Sequence, residues 1–229
     1  MIRVGRADDY NIWSHSRHMR DLYRARARDE AEEMTCAGQA AQILAELAKP
    51  GETLFDAGCG SGWFFHALRR RSIPLDYWGM DKTEAFIEIG RQELAAFGLP
   101  PERLLLGEIE YAEGAADHVL CMNVLSNIDH WMRALDRLCA VARRSLILRE
   151  SVRPMAESTL VTDRFLDPGV DLKVHVNAYA RFELEQFLIA RGFSVRWEVD
   201  WRTGGAPENV IGYPHWWNFL VAEKKDMVG

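Results

Sequence analysis

The stretch that decides the fold is Thr53-Leu54-Phe55-Asp56-Ala57-Gly58-Cys59-Gly60-Ser61-Gly62-Trp63-Phe64. An apolar run, then an acid and glycines at alternate positions, predicts a strand, a tight turn and a helix that begins near Ser61. Glycine lets the backbone bend sharply and approach a ligand that a Cβ atom would exclude. The N–H groups and the positive dipole end of a following helix would face the same ligand. We therefore expect this turn to cradle a ligand with its backbone.

Two common nucleotide-binding loops do not fit this turn. A dinucleotide fingerprint needs a further glycine where Trp63 stands, and a Walker-type phosphate loop ends in Gly-Lys-Ser/Thr, which does not follow. What remains is the pattern Asp56-x-Gly58-x-Gly60-x-Gly62 after a strand. This pattern resembles the first signature of the class I S-adenosylmethionine-dependent methyltransferases.

The resemblance assigns roles to the residues of the turn. It implies that Gly58, Cys59 and Gly60 pass beneath the methionine part of S-adenosylmethionine, and that Asp56 contacts its amino group directly or through water. It also implies in-line attack on the sulfonium methyl group, with S-adenosylhomocysteine as the leaving product. Such an enzyme mainly supplies alignment and desolvation, and only hydroxyl or ammonium acceptors need a general base. Catalytic residues therefore need not be conspicuous in the sequence.

A second predicted strand, Pro74 to Asp81, ends in an acid. Asp81 follows the glycine turn by about twenty residues, where an α/β nucleotide site places a carboxylate that accepts two ribose hydroxyls. The resemblance agrees, because these methyltransferases carry an acid at the end of this strand. Lys82 would lie beside the ribose.

The next two strands predict the rest of the cofactor site. After a strand from Arg103 to Gly107, the step Glu108-Ile109 resembles the family's adenine-binding step, with Glu for the commoner Asp. The strand Ala116–Met122 leads into Asn123 and Val124, in the crevice where open α/β sheets hold ligands. We expect Asn123 and Val124 to contact the cofactor.

The segment after Val124 departs from two familiar variants of the family. Ser126-Asn127 stands where many small-molecule methyltransferases have His-His, which puts a histidine mechanism from this segment in doubt. The segment also differs from the Asp/Asn-Pro-Pro-Tyr sequence of enzymes that methylate base amines or a glutamine amide. The nucleic-acid branch of the family is therefore disfavoured.

The alternation of strands and helices predicts an α/β fold with a Rossmann-like, seven-stranded, mostly parallel sheet and helices on both faces. The fifth strand is Ser145–Arg149, and the last two are Ser194–Trp201 and Trp216–Glu223, the seventh antiparallel. A predicted helix, Tyr179–Phe193, precedes the sixth strand. Residues 1–49 form an N-terminal helical extension or lid, and residues 50–229 form the S-adenosylmethionine-binding domain. An irregular insertion is predicted at about 152–177, and the resemblance implies that it covers the substrate.

Further candidate residues lie outside the cofactor site. His175 in the insertion and Glu150 after the fifth strand are candidate catalytic groups, although a lone histidine or glutamate is more often simply hydrogen-bonded. The N-terminal arginines at near-helical spacing are either a solvated basic face or part of a lid that meets a carboxylate. Candidate substrate or lid residues are Tyr10, Trp13, Tyr23, Arg26 and His215.

Composition limits the partners. The 229-residue chain has a formal net charge of −6, whereas nucleic-acid binding draws on Lys and Arg that neutralise phosphates. We therefore expect a small-molecule substrate and no nucleic acid. Scattered cysteines and the lack of paired acids predict no zinc knuckle, disulfide framework or catalytic metal. No apolar run reaches the ~20 residues that span a bilayer, and no signal-peptide core is seen, so a cytoplasmic monomer or homodimer is expected.

The sequence thus predicts an S-adenosylmethionine-dependent methyltransferase that acts on an oxygen or nitrogen nucleophile of a small molecule. A non-catalytic cofactor-binding subunit and a protein or peptide methyltransferase stay open as alternatives. Aminopropyl transfer on the same fold is a further alternative, without a supporting acidic substrate signature.

Overall fold

The computed structural model describes residues 2–5 and 11–225. Strands and helices alternate along much of the chain. The strands are β1 Arg3–Gly5, β2 Thr53–Ala57, β3 Asp76–Asp81, β4 Leu104–Leu106, β5 Glu108–Glu113, β6 Ala116–Met122, β7 Ala142–Arg153, β8 Glu157–Thr162, β9 Lys173–Ala180, β10 Phe193–Val199, β11 Glu208–Val210, β12 Tyr213–His215 and β13 Trp217–Lys224. The helices are α1 Arg17–Ala27, α2 Thr35–Leu47, α3 Phe65–Arg70, α4 Glu84–Glu93, α5 Trp131–Val141 and α6 Arg181–Ile189.

The central sheet has the strand order β10-β13-β7-β6-β2-β3-β4. Strands β7, β6, β2, β3 and β4 are parallel, and β13 runs antiparallel to both of its neighbours. The predicted fold class is therefore confirmed. Because parallel strands end at one edge, this order brings the ends of β2, β3, β6 and β7 together there.

The two faces of the sheet are buried by different helices. Along β2, Leu54 belongs to the apolar cluster that includes residues of α2, α3 and α4, whereas Phe55 belongs to the cluster that includes residues of α5 and α6. Both side chains are fully buried. This alternation follows from the two-residue side-chain period of a strand, and it makes the sheet edge a rigid platform for the site.

The prediction of an irregular insertion at 152–177 is wrong. Strand β7 extends to Arg153, and β8 and β9 form an antiparallel pair in which β9 also joins β7 in parallel. Val161, Val174 and Val176 bury one face of this pair. The breakers Pro154 and Pro168 fall in the connections between strands, so they mark turns within a sheet extension rather than a loop. Tyr179, predicted to begin a helix, lies in β9.

The N-terminal extension is also not wholly helical. Residues Arg3–Gly5 form a strand that pairs antiparallel with β5, a strand that the sequence pattern did not predict. Gly107 allows this close approach, because a Cβ atom there would lie 2.4 Å from Val4 Cγ2. After the described chain resumes at residue 11, α1 packs on α4.

The helix after the glycine turn begins at Phe65, later than predicted. Gly62 has a φ of +74°, and residues 61–64 form turns before the helix starts. A Cβ atom on Gly62 would lie 2.8 Å from Leu104 Cδ2, so the turn is tightly packed as well as left-handed. Since α3 has only 6 residues, its dipole adds little, and the cradle is formed by the turn itself.

Candidate functional site

The glycine turn is a close-packed cradle at the carboxyl edge of the sheet. Gly58 and Gly60 have φ values of +81° and +58°. A Cβ atom on Gly58 would lie 2.3 Å from Val124 Cγ2, and one on Gly60 would lie 2.1 Å from Tyr23 Cε1. The N–H groups of Gly58 and Cys59 donate to the carbonyl of Met80 at 2.7 and 2.9 Å. The turn is therefore tied to β3 and leaves no space for side chains at either glycine.

Asp81 joins the cradle to the start of α4. Its Oδ2 accepts the N–H of Gly60 at 2.9 Å, and its Oδ1 accepts the N–H of Thr83 at 2.8 Å. Burial raises the pKa of Asp81, and these two N–H groups oppose that shift. Each carboxylate oxygen can accept more than one hydrogen bond, so Asp81 can still accept two hydroxyl groups of a ligand. The geometry fits the ribose role expected for this residue.

Asp56 is a second buried carboxylate beneath the turn. It is 4% exposed, and its Oδ2 accepts the Tyr77 hydroxyl at 2.7 Å. Burial raises the pKa of Asp56 to about 7, the Tyr77 hydroxyl lowers it, and the charge of Asp81 raises it further. Two close carboxylates at one edge favour a ligand that carries positive charge.

This environment of Asp56 predicts a pH dependence of stability. Because the folded-state pKa is raised above the ordinary value of 3.8 to about 7, the folded protein binds more protons than the unfolded chain between these pH values. The contribution of Asp56 to the free energy of unfolding therefore falls as pH rises through this window and levels off above it. The expected loss is a few kcal/mol, at about 1.4 kcal/mol per pKa unit.

Urea denaturation of wild type and Asp56→Asn at pH 4, 6 and 8 checks this expectation. The asparagine variant keeps an acceptor for Tyr77 but does not titrate, so it should gain stability relative to wild type as pH rises. A stability difference that stays constant with pH would contradict the assignment.

The predicted adenine step lies at the junction of β4 and β5. Glu108 begins β5 and forms an ion pair with Lys82, with 3.8 Å between Nζ and Oε1. The side chain of Ile109 is buried in the core. Ile109 is therefore available to a ligand through its backbone rather than its side chain.

Asn123 and Val124 follow β6 directly beside the cradle. Asn123 has a φ of +60°, and its N–H donates to the carbonyl of Arg149 at 2.8 Å. Its Oδ1 accepts the Arg149 Nη1 at 2.5 Å, and Arg149 Nε donates to Asp200 Oδ2 at 2.7 Å. Both members of this ion pair are buried. A buried charge network thus holds the end of β6.

Glu150, a predicted catalytic group, has its carboxylate engaged by the same loop. Oε1 accepts the N–H groups of Val124 and Leu125 at 3.0 and 2.9 Å, and Oε2 accepts the N–H of Ser126 at 3.0 Å. The side chain is 1% exposed, and burial raises its pKa to about 7 although the N–H groups oppose the shift. This geometry favours a role in positioning the loop over proton transfer to a substrate.

His175 lies on β9 opposite Leu160, on the strand face that also carries Asn177 and Tyr179. Asn177 Nδ2 donates to the carbonyl of Ile128 at 2.8 Å, and the Tyr179 hydroxyl donates to that of Leu125. This face therefore points to the loop after β6. The Nδ1 of His175 is buried and has no hydrogen-bond partner in the part of the chain that the structure describes.

The N-terminal segment lies over the cradle. The Tyr23 ring, which closes on Gly60, stacks on Phe86 with 4.2 Å between centroids, and Arg26 lies over the rings of Tyr23 and Trp63 at 5.3 Å each. Burial raises the pKa of Tyr23 to about 12.

The segment before α1 connects this cover to the β8–β9 region. Ser16 Oγ donates to the carbonyl of Phe165 at 2.6 Å, and the N–H of Arg17 donates to Asp167 at 2.7 Å. Trp13 packs against the apolar cluster of Val161, Val174 and Val176. We call residues 11–26 together with 163–172 the strap.

The N-terminal arginines form ion pairs with neighbouring acids. Arg17 and Arg24 pair with Asp21, Arg28 pairs with Glu93, and Arg20 pairs with Asp167. The surface interpretation fits most of them, and Arg20 adds to the strap.

The two remaining substrate candidates lie elsewhere. His215 is buried and stacked on Trp217 at 4.7 Å, and its Nδ1 is 3.0 Å from the carbonyl of Tyr213. Burial lowers its pKa. These partners place His215 in the packing of the last strands. Tyr10 lies outside the described residues.

Several site residues escaped the sequence reasoning. Tyr77, Thr83, Arg149 and Asp200 each have a partner that is distant in sequence, which for Thr83 is Asn11, whose Nδ2 donates to the Thr83 hydroxyl at 3.0 Å. Only the neighbouring ends of β6 and β7 suggest any link between Asn123 and Arg149. Among the described residues, no helix is both long and apolar enough to cross a membrane. The same residues contain no group of three or more His, Cys, Asp or Glu side chains placed to hold a metal ion.

The doubly wound sheet with this cradle and its two acids is the arrangement in which many α/β proteins bind nucleoside-type cofactors. A sequence profile described as a methyltransferase domain matches residues 28–197. The chain belongs to this family and is a class I, S-adenosylmethionine-dependent methyltransferase. No match was found among curated protein sequences.

Solved structures of methyltransferases share the fold at low identity. Magnesium protoporphyrin IX methyltransferase from Synechocystis PCC 6803 with bound S-adenosylhomocysteine has a TM-score of 0.62 and 17% identity, over 90% of this chain and 94% of that one. An amino pentose methyltransferase from Micromonospora echinaspora has a TM-score of 0.59 and 15% identity, over 96% and 100%. A glycopeptide N-methyltransferase complexed with S-adenosylmethionine has a TM-score of 0.57 and 11% identity, over 82% and 94%.

Proposed function

We propose that this enzyme methylates an oxygen or nitrogen nucleophile of a small molecule. The observation that carries the proposal is the strap. Ser16, Arg17 and Arg20 join the N-terminal segment to the β8–β9 region, and Tyr23 of the same segment lies against Gly60 of the cradle. A site covered in this way suits a compact acceptor better than a folded macromolecule. The net charge of −6 adds a reason against nucleic acid.

The cofactor supplies an activated methyl group when bound, and this chain's residues hold and orient it. We propose that Asp81 binds the ribose hydroxyls with Lys82 beside it, and that Glu108 and the backbone of Ile109 bind the adenine. Two further residues would act on the methionine part, Asp56 through its charge and Gly60 through its backbone. Tyr23 and Arg26 would cover this part and exclude water, which strengthens the electrostatic contacts below them.

The two catalytic candidates take different roles in this proposal. His175 has a buried ring nitrogen without a described partner, on the face of β9 that points to the loop after β6. That nitrogen can accept a proton from a hydroxyl or ammonium acceptor. Glu150, with three backbone N–H groups bound, would instead keep Val124 and Leu125 in place beside the cradle.

The proposal is tested with the isolated chain and radiolabelled S-adenosylmethionine. Calorimetry should show cofactor binding, and a panel of small phenols, carboxylic acids and amines should yield a methylated product. Binding without transfer to any small acceptor, together with transfer to peptides or only after adding a partner protein, would favour the alternatives of a protein methyltransferase or a non-catalytic subunit.

Replacing His175 should separate catalysis from binding. We expect His175→Gln to lower kcat by roughly 100-fold, the scale of general-base catalysis, while cofactor affinity changes little. His130→Gln is the matched control, because His130 is exposed before α5. Equal rates for wild type and His175→Gln would show that His175 takes no part in the reaction.

The cytoplasmic location and the monomeric or homodimeric state stay predictions.

A further inference from the structure

Arg149 fixes the orientation of the Asn123 side-chain amide, that is, which way its oxygen and its nitrogen point. Arg149 Nη1 lies 2.5 Å from Asn123 Oδ1, and a guanidinium group only donates hydrogen bonds. Asn123 must therefore turn its oxygen to Arg149 and its amide nitrogen, with two N–H donors, away from it. Across residues 2–5 and 11–225, nothing forms a hydrogen bond with that nitrogen, and Asn123 is partly exposed.

The other contacts of Arg149 keep its guanidinium group at Asn123 Oδ1. Its side chain is 3% exposed, its Nε donates to Asp200 at 2.7 Å, and its guanidinium lies 4.4 Å from the centre of the Trp217 ring. Asp200 is 0% exposed, and its other oxygen accepts the N–H of Thr203 at 3.0 Å. Moving Arg149 away would leave an uncompensated buried carboxylate, which is strongly unfavourable.

The backbone of Asn123 is held at both ends as well. Its N–H donates to the Arg149 carbonyl, and its own carbonyl accepts Asn127 Nδ2 at 2.8 Å. The next side chain, Val124, lies against Gly58 of the cradle. The side-chain amide of Asn123 is thus held in one orientation at the carboxyl edge of the sheet, next to the cradle.

Resting on the function proposed above, we propose that Asn123, which the sequence predicts as a cofactor contact, instead determines specificity by donating to an oxygen of the methyl acceptor. Arg149 is the positioning residue, because it holds the amide oxygen of Asn123 and so leaves the amide nitrogen free to face the acceptor. Acceptors then carry a carboxylate, carbonyl or other hydrogen-bond-accepting oxygen beside the methylated atom. A protonated amine at this place would meet N–H groups that cannot accept from it.

Nuclear magnetic resonance on the full chain with S-adenosylhomocysteine tests the proposal. With ¹⁵N-labelled asparagine, the Asn123 side-chain signal is the one lost in Asn123→Asp. Benzoate and benzylamine are the matched probes. Benzoate should shift the Asn123 signal and benzylamine should not. The side-chain amide signals of Asn127 and Asn177 should not shift, because these amides already donate to backbone carbonyls.

Several results would overturn the inference. The inference is contradicted if benzoate does not shift the Asn123 signal, or if benzylamine shifts it equally. If S-adenosylhomocysteine alone shifts the signal and benzoate causes no further change, Asn123 donates to the cofactor and not to the methyl acceptor. Failure of S-adenosylhomocysteine to bind would count against the proposed function rather than against this step.

Variants give a second, independent readout. Asn123→Asp places a carboxylate against the same Arg149, so it should lower benzoate affinity at least tenfold and admit benzylamine. Arg149→Lys keeps a donor-only partner and should retain the preference for benzoate. Arg149→Gln can donate or accept and should lose it. An unchanged preference in Asn123→Asp would contradict the proposal, even if Arg149→Gln fails to fold.

Discussion

Asp81→Ala is expected to weaken S-adenosylmethionine binding at least tenfold, and about a hundredfold if both ribose contacts are lost. Each hydrogen bond to a charged group is worth about 1.5 kcal/mol or more. The alanine also removes the acceptor of the Gly60 and Thr83 N–H groups, so the cradle loses its link to α4. Titration calorimetry with wild type and variant measures the change.

A carboxylate at the opposite end of the sheet supplies the control. Asp117 accepts the N–H and the hydroxyl of Thr53 at 2.9 and 2.8 Å, so Asp117→Ala also removes an acceptor from the backbone. We expect Asp117→Ala to lower stability without changing cofactor affinity. Similar affinity losses in both variants would show that the Asp81 effect is general destabilisation.

Glu150→Ala is expected to lower the free energy of unfolding by roughly 3 kcal/mol or more. The N–H groups of Val124, Leu125 and Ser126 lose the carboxylate that accepts them at 2.9 to 3.0 Å, and each unsatisfied buried donor costs about 1–3 kcal/mol. Because Val124 packs on Gly58, cofactor affinity should fall as well. Urea denaturation and calorimetry measure the two effects.

Glu157 is the matched control for this substitution. It begins β8 and forms an exposed ion pair with Arg153, and such pairs contribute about 0–1 kcal/mol. Glu157→Ala should therefore change stability little. A comparably small effect of Glu150→Ala would mean that the loop after β6 does not depend on the buried carboxylate.

The parts of the site that the sequence predicted are those set by local pattern. The glycines after β2 and the acid that ends β3 are about twenty residues apart in the chain, and a short, largely buried strand leads into each of them. Strand β6 was predicted with the bounds that the structure shows, Ala116–Met122. Local hydrophobic pattern and turn chemistry agree in these elements, so prediction succeeds there.

The parts that escaped prediction depend on contacts between distant residues. Strand β1 is short and exists through its pairing with β5, and β9 joins the sheet through β7. The partners of Arg149 and Glu150 are set by how strand ends meet at the sheet edge. Neither hydrophobic period nor turn signals carry that information, so the sequence around Glu150 does not distinguish a free carboxylate from one bound by three backbone N–H groups.

The central claim is that the cradle between Gly58 and Asp81 holds S-adenosylmethionine. A crystal structure of the chain with S-adenosylhomocysteine tests this most directly. We predict ribose hydroxyls within hydrogen-bond distance of the Asp81 carboxylate and the adenine beside Glu108, with Tyr23 over the methionine part. A ribose bound away from Asp81, or product bound outside the cradle, would contradict the account.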